Sequence, residues 1–524
     1  MAEDNPTKSR RDADAERRDM EINYFNNATP IFDEILPKKT SSDFFEQSIP
    51  VGLSPLLNVA STSCLDVDIS RTSMSPSLLD TTVDRVEHNT LSDAHRDVWI
   101  PSDQTRKILR SIATSAAGNS HLDRENLTMP GLAVQGDMPD LIKNASIHFL
   151  GEDENIHRNV LTASDVTQDE RGLRNLIQTG CYRAAVNLSG RLLAIYAQGY
   201  GKINQPSKHT PHSLQLWYTR LSLLVKLRQM DVLENESKPF GNLDKPDMYF
   251  TFYPELYGTR PASMASFAFR LLLAEIPSYY DKAKQALDNL YKLLATVHQI
   301  IANFQAGLSG EGTHAKISES DQREAVKLWT ARRTRILISI VNCAIGMRNY
   351  ILAIEILEDL CELPDWTAEQ IGILRSAIGR VHLFLGDVSA AEKFLVREEN
   401  KEEKTTSVRE LVDSGLMAVA QNAFQEAYNY FQSASALDPS NVMLINNMAV
   451  CLLYTGQLRA AVWLFESIIN KNPLKSLQEP ILLNMCTSYE LHTTHCKQPK
   501  LHLLRQLNRY KGDAADIQCL KLAM

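Results

Sequence analysis

The sequence has 524 residues, of which 44% are hydrophobic and 23% are charged, and its formal net charge is −8. These proportions are typical of a soluble globular protein, and the acidic balance argues against nucleic-acid binding. The charged N-terminal residues predict no secretory signal, and the longest dense apolar run, Ile336–Gly346, is too short to span a bilayer. We therefore expect a cytoplasmic chain that reaches membranes only indirectly, through partners.

Residues 1–165 differ from the rest because they are rich in Ser, Thr, Asp and Asn and have no sustained helical period. Such a composition buries too little apolar surface to order a chain by itself, so we predict a mostly disordered N-terminal region. Three short apolar segments interrupt it, at 31–37, 43–53 and 98–113. These segments are either docking segments that order on binding or chance apolar residues in a tail.

A helical period begins near residue 166 and predicts helical hairpins of the tetratricopeptide (TPR) type over residues 166–306. Within this part, the proline-containing segment 234–261 is expected to be a long loop on the surface. The polar, glycine-containing stretch at 307–324 predicts a linker, because it has neither the strand nor the Lys-Ser/Thr pair of a phosphate loop.

The strongest pattern is a 34-residue repeat inside residues 325–475. Its matched pairs are Phe424 and Leu458, Ala427 and Ala461, Phe431 and Phe465, and Pro439 and Pro473. This period and these residue types are typical of the TPR, a helix–turn–helix unit that stacks into a solenoid. We therefore predict an all-α fold, a right-handed superhelical solenoid of about seven TPR-like hairpins with capping helices over 476–524.

Two antiparallel helices approach closely only where the facing side chains are small. The residues predicted to pack within and between the repeats are Gly415, Ala427, Phe431, Ala434, Ala449, Gly456, Ala461 and Phe465. The small residues leave room for the neighbouring backbone, and the two phenylalanines fill the space between units. Gly456 is predicted to end a helix in the left-handed conformation.

The first helix of each TPR unit lines an inner groove. The candidate protein-binding residues of this groove are Leu383, Phe384, Val412, Leu416, Val419, Asn446, Asn447, Val450, Leu453 and Tyr454. Because most of them are apolar, the groove is expected to hold a helix or an extended apolar segment of a partner. Alternatively, the superhelix is tight and fills its own groove, for example with residues 98–113; the sequence does not separate these two possibilities.

The sequence contains no nucleophile elbow, no paired-histidine zinc helix and no phosphate loop. We therefore predict no catalytic residues and a protein that is not an enzyme. His492, His495 and Cys496 lie close together, but their spacing matches no common zinc site, so we predict neither a metal nor another cofactor.

Several longer stretches have a more specific likeness. They are NYILAIEILEDL, FLGDVSAAEKF, ALDPSNVMLINNMAVCLLYTGQL and ILLNMCTSYEL, with LIQTGCYRAAVNLSGRLL and LWYTRLSLLVKL earlier in the chain. Together they resemble the trafficking protein particle complex subunit 12 family, over roughly residues 95–520. The resemblance implies a non-catalytic scaffold subunit of a membrane-tethering complex in endoplasmic reticulum-to-Golgi transport. It also implies other subunits of that complex, including subunits 8 and 11, as partners.

By the same resemblance, the protein would lie at the endoplasmic reticulum–Golgi intermediate compartment or the Golgi, and would have a mitotic role at kinetochores. A second function stays open, that of a TPR peptide receptor or co-chaperone adaptor that binds C-terminal peptides through Asn446 and Asn447. Asn447 suits such a clamp, but Val412 and Leu416 stand where a lysine and an asparagine would be needed. This departure disfavours the co-chaperone hypothesis.

Overall fold

The computed structural model describes residues 93–114, 124–153, 158–258, 260–314, 317–363, 366–395 and 407–522. In these ranges the chain forms α-helices joined by turns and short 3₁₀ helices, and its β-type pairing is limited to two isolated bridges. The predicted all-α fold is therefore confirmed. The apolar segments at 31–37 and 43–53, and the disorder predicted for residues 1–92, lie outside the described residues.

Among the described residues before residue 166, the chain forms three α-helices. They are α1 (Asp93–Arg96), α2 (Asp103–Thr114) and α3 (Leu141–Leu150). Val98 and Trp99, which lie between α1 and α2, are buried in the main core, and Ile142 of α3 is completely buried. Packing thus begins well before the boundary predicted at residue 165. The sequence did not predict this packing, because these segments pack on distant helices rather than on each other and therefore have no repeat period.

In the first group, most helices that follow each other along the chain pack together. The helices of this group are α4 (Glu170–Gln178), α5 (Tyr182–Ile195), α6 (Pro211–Lys226), α7 (Met230–Ser237), α8 (Pro254–Tyr257), α9 (Phe267–Glu275) and α10 (Ala283–Gln305). Helix α6 begins at a capping box in which the side chains of Thr210 and Ser213 each accept the other residue's backbone N–H. Pro211 follows at the first helical position, where its missing N–H costs nothing.

The segment 238–261 is not the surface loop that its prolines predicted. Its short turns place Phe240, Met248 and Phe250 in the main core. The Phe240 ring packs edge-on against both Trp217 and Phe269, with centroid distances of 5.4 and 5.2 Å. Aromatic side chains bury large areas, so this packing orders a segment that has little regular helix.

The second group of helices begins inside the predicted linker. It comprises α11 (Glu319–Gly346), α12 (Tyr350–Cys361), α13 (Ala368–Leu385), α14 (Val388–Leu395), α15 (Val408–Ala420), α16 (Phe424–Leu437), α17 (Val442–Tyr454) and α18 (Leu458–Lys471). Ser318 caps α11 by accepting the N–H of Asp321, so the linker ends before residue 319 rather than at 324. The chain closes with α19 (Pro473–Ser476), α20 (Glu479–His492) and α21 (Lys497–Tyr510).

The turn between the two helices of a hairpin has one recurring geometry. A single residue in the left-handed conformation ends the first helix, and these residues are Gly180, Arg228, Arg348, Gly386, Asn422 and Gly456. At the last of them, the N–H of Gly456 donates to the Leu453 carbonyl and the next N–H, that of Gln457, donates to the Leu452 carbonyl. This pair of bonds is a Schellman motif, which satisfies the last carbonyls of the helix.

Candidate protein-binding surface

Helices α15 to α18 form the two hairpins of the 34-residue repeat. The structure places the predicted packing residues in their interior, except for Gly456, which is exposed in the turn between α17 and α18. Ala427, Ala434, Ala449 and Ala461 are completely buried, and the rings of Phe431 and Phe465 are nearly so. A Cβ added to Gly415 would lie 2.6 Å from a ring carbon of Phe431. The close approach of α15 and α16 therefore depends on the absence of a side chain at residue 415.

Half of the predicted groove residues are buried inside the array. Val412, Leu416, Asn446, Asn447 and Val450 are all buried. Leu383, Phe384, Val419 and Leu453 are half-buried, and Tyr454 is exposed.

The buried candidates face neighbouring helices. Val412 and Leu416 share one apolar cluster with Phe431 and Leu444, so they join one hairpin to the next. These residues do not line an open groove. The apolar pattern of the first helices predicted a groove, but an apolar residue at such a position can equally well pack against the next unit.

The two asparagines proposed for a peptide clamp are engaged within the protein. The side-chain oxygen of Asn446 accepts a hydrogen bond of 3.0 Å from the side-chain amide of Asn484 on α20. The side-chain amide of Asn447 lies 3.2 Å from the sulfur of Met443. Because Asn446 and Asn447 are both buried, neither reaches a surface where a peptide carboxylate would bind.

The segment 98–113 packs on the first group and not in the C-terminal repeats. The guanidinium of Arg270 lies over the Trp99 ring at 4.2 Å from its centroid. The Thr105 hydroxyl donates a 2.6 Å hydrogen bond to the Asp244 carbonyl. This segment therefore does not fill the predicted inner groove.

The sequence reasoning missed several exposed apolar residues of the second group. They are Ile351, Leu385, Leu437, Trp463 and, beyond the repeats, Leu474 and Leu491. Trp463 of α18 is 68% exposed, whereas most tryptophan surface in folded proteins is buried. One signal was available, since the matched position 34 residues earlier is the exposed polar residue Asn429. An exposed tryptophan is the side chain most enriched among residues that dominate binding energy at protein interfaces.

A buried pair of titratable residues, His209 and Asp247, resembles a catalytic acid–base pair. His209 is completely buried, and its Nε2 lies 2.8 Å from the Thr128 carbonyl. Burial lowers the pKa of His209 to about 4, so the ring is neutral at pH 7 and Nε2 donates to that carbonyl. Asp247 accepts hydrogen bonds from the backbone N–H and the hydroxyl of Thr128. The cluster joins the segment before α3 to the segment 238–261, which is a structural role.

Five of the described cysteines, Cys181, Cys343, Cys451, Cys486 and Cys519, are buried. Burial raises the pKa of the Cys451 and Cys486 thiols to about 12, so neither is a nucleophile at neutral pH. Within the described ranges, no group of three or more His, Cys, Asp or Glu residues is placed to hold a metal ion. Over the same residues, no helix has both the length and the apolar character needed to cross a bilayer.

Stacked antiparallel hairpins with small residues at their contacts define a TPR-type helical repeat protein. No family model matches the sequence. The chain is 39% identical over 435 residues to the mouse trafficking protein particle complex subunit 12. These 435 residues cover 82% of this chain and 54% of the mouse protein. It is 38% identical over 435 residues to the human protein, of which the match covers 59%.

By this identity the chain belongs to the trafficking protein particle complex subunit 12 family. It spans little more than half the length of the curated relatives it matches.

Solved structures with some likeness include an APC/C hetero-tetramer, Cut9–Hcn1, at 10% identity and a TM-score of 0.22, covering 70% of this chain and 74% of that one. The TPR domain of P58(IPK) is 15% identical with a TM-score of 0.17, covering 70% and 96%. At TM-scores this low, these likenesses carry no information about function.

Proposed function

We propose that this chain is a non-catalytic scaffold subunit of a trafficking protein particle complex, which tethers membranes in transport from the endoplasmic reticulum to the Golgi. The observation that carries the proposal is the 39% identity to subunit 12 over most of this chain. The fold supports it, because stacked helical hairpins present extended surfaces to other polypeptides. The expected partners are other subunits of the complex, among them subunits 8 and 11.

The same proposal gives the chain a peripheral location on the cytoplasmic side of early secretory membranes, with contact through the complex. The mitotic role implied by the resemblance has no support in the relatives' names or in the described structure. The peptide-receptor alternative is disfavoured because Asn446 and Asn447 are buried and engaged with Asn484 and Met443.

Within this proposal, the exposed apolar residues of the second group are the surface that contacts another subunit. Trp463 is its most exposed aromatic residue, and Tyr454 is exposed while its ring stacks on Phe424 at 4.8 Å. Rigid aromatic side chains give a large contact area for a small loss of conformational freedom. Apart from Tyr454, the inner-groove candidates are not needed for this binding mode.

The test of the proposed function is affinity purification of the tagged full chain from cells, followed by identification of the co-purified proteins. Recovery of other subunits of the complex in stable proportion supports it. A preparation in which the chain is folded and intact but is accompanied by none of those subunits overturns it.

A paired substitution tests the surface. Trp463→Ala is expected to weaken retention of the neighbouring subunit by about 10-fold or more, as for a tryptophan at the centre of an interface. Ile195→Ala is the matched control, because Ile195 has the same exposure, 69%, but lies in the first group. Both variants should melt like the parent chain, since both side chains are exposed. Equal retention by both variants would place the contact elsewhere.

A further inference from the structure

The two ends of the helical array are in contact. Helix α3, which precedes the first group, packs against α21 at the C-terminal end. Ile142 and Ala145 of α3 belong to the same buried cluster as Leu503, Leu504 and Leu507 of α21. Because α3 lies before the first repeat and α21 after the last, this contact closes the array into a ring.

A second contact joins the C-terminal tail, which follows α21, to the first group of helices. The carboxylate of Asp513 accepts the backbone N–H groups of Arg183 and Ala184, at 2.9 and 2.8 Å. These groups belong to the first turn of α5, whose own N-cap residue, Cys181, makes no side-chain capping bond. Asp513 is buried and so supplies, from the far end of the chain, the cap that α5 lacks.

Arg158 joins this contact to α3. Its side chain pairs with Asp140, the N-cap residue of α3, and donates to the carbonyls of Asn508, Lys511 and Gly512. This side chain is nearly inaccessible to solvent. One buried guanidinium therefore holds the start of α3 and the tail that follows α21 together.

The tail also approaches the first group too closely for any side chain at residue 512. A Cβ on Gly512 would lie 2.3 Å from the Gly180 carbonyl oxygen. The next residue but one, Ala514, adds a small apolar contact with the main core. We call residues 511–517 the tail latch. Ile517 is buried in the same C-terminal cluster as α21, whereas the contact of the latch with the first group consists mainly of the two Asp513 bonds and of Ala514.

We propose that the tail latch is a conformational switch that holds the array as a closed ring and whose release opens it. The contact of α3 with α21 is leucine-rich and stays intact, and so do the bonds by which Arg158 joins the start of α3 to the tail. The two bonds between the Asp513 carboxylate and α5 can be exchanged for bonds to water at small net cost. In the open form, α3, α20 and α21 move as one unit away from α4 and α5. The partly exposed ion pair of Arg228 with Glu479 of α20 separates at the same time. The distance between surfaces at the two ends of the scaffold then changes. This proposal depends only on contacts within the chain, and not on the proposed function.

The test uses the full chain and Asp513→Ala, with Asp359→Asn on the exposed face of α12 as the matched control. Hydrogen exchange of the Arg183 and Ala184 amides reports the latch itself, and small-angle X-ray scattering reports the ring. Asp513→Ala is expected to speed exchange of those two amides by about 10-fold or more and to increase the radius of gyration. The control is expected to change neither.

Faster exchange with an unchanged scattering curve would overturn the proposal, because Asp513 would then be only a helix cap. Unchanged exchange together with unchanged scattering would overturn it as well. If Asp513→Ala does not fold, Gly512→Ala takes its place, because its methyl group separates the tail from Gly180 and leaves the carboxylate in the chain. The same two readouts then decide.

Discussion

The first group of helices and the C-terminal repeats are stabilised in different ways. In the first group, buried polar side chains join parts of the chain that are far apart in sequence. Arg220 of α6 pairs with Glu236 of α7 and also donates to the Val186 carbonyl of α5. Glu236 accepts, in addition, the backbone N–H of Ala133, which lies before α3.

In the C-terminal repeats, contacts between neighbouring hairpins are mostly small and apolar. Their buried ion pair, Arg380 with Asp413, joins adjacent hairpins. The difference shows that a regular array is stabilised by similar contacts between neighbouring hairpins. The first group is stabilised in addition by a few contacts between residues that are far apart in sequence.

The largest expected effect comes from Glu236→Ala. It leaves the Arg220 guanidinium buried without its carboxylate and the Ala133 N–H without an acceptor. Removing one partner of a buried ion pair typically lowers the free energy of unfolding by about 3–5 kcal/mol. Urea unfolding would measure this loss, and hydrogen exchange should locate it in α5 to α7 rather than in α15 to α18.

Glu234→Ala is the matched control on the same helix, because Glu234 pairs with Lys282 at the surface. An exposed ion pair contributes little, so the urea midpoint should hardly change. If Glu236→Ala unfolded no more easily than Glu234→Ala, the buried link would not be what stabilises the first group.

A smaller and pH-dependent effect is expected from Asp247→Asn. Burial lowers the pKa of His209 from 6.5 to about 4, so the stability it contributes is present above pH 6.5 and is lost as the pH falls toward 4. Burial raises the pKa of Asp247 from 3.8 to about 6, so its contribution is present below pH 3.8 and is lost as the pH rises through 6. Between pH 4 and pH 6.5 the two trends oppose each other.

The substitution Asp247→Asn removes the pH dependence that comes from Asp247 and leaves that of His209. Relative to the parent chain, Asp247→Asn is expected to lose up to about 3 kcal/mol of stability between pH 6.5 and pH 4. Urea unfolding across this range measures the slope, and Asp231→Asn, at an exposed position of α7, controls for the loss of one carboxylate. Parallel slopes for the parent and Asp247→Asn would show that burial does not raise the pKa of Asp247.

The contrast between the two regions also decides how much could be predicted from sequence. The helices around Gly415, Ala449 and Ala461 were predictable because a repeat must place the same residue types at the same contacts. The role of Trp99 was not, because its partner, Arg270, lies far along the chain and no periodicity links them. The burial of Val412, Leu416 and Val450 was not predicted for a third reason. The sequence does not distinguish an apolar residue that faces a partner from one that faces the next hairpin.

The smallest expected effects lie in the hairpin turns, where different residues adopt the same left-handed conformation. Arg348 at the end of α11 has φ = 60°, and Gly456 at the equivalent turn has φ = 80°.

Arg348→Gly removes the clash of a Cβ in the left-handed region and should raise the free energy of unfolding by about 0.5–1 kcal/mol. Gly456→Ala introduces that clash and should lower it by about 1 kcal/mol. Arg348 is exposed and its substitution removes no buried contact, so thermal melting of the two variants isolates the turn. Shifts of the same sign would show that the two turns do not share one energetic requirement.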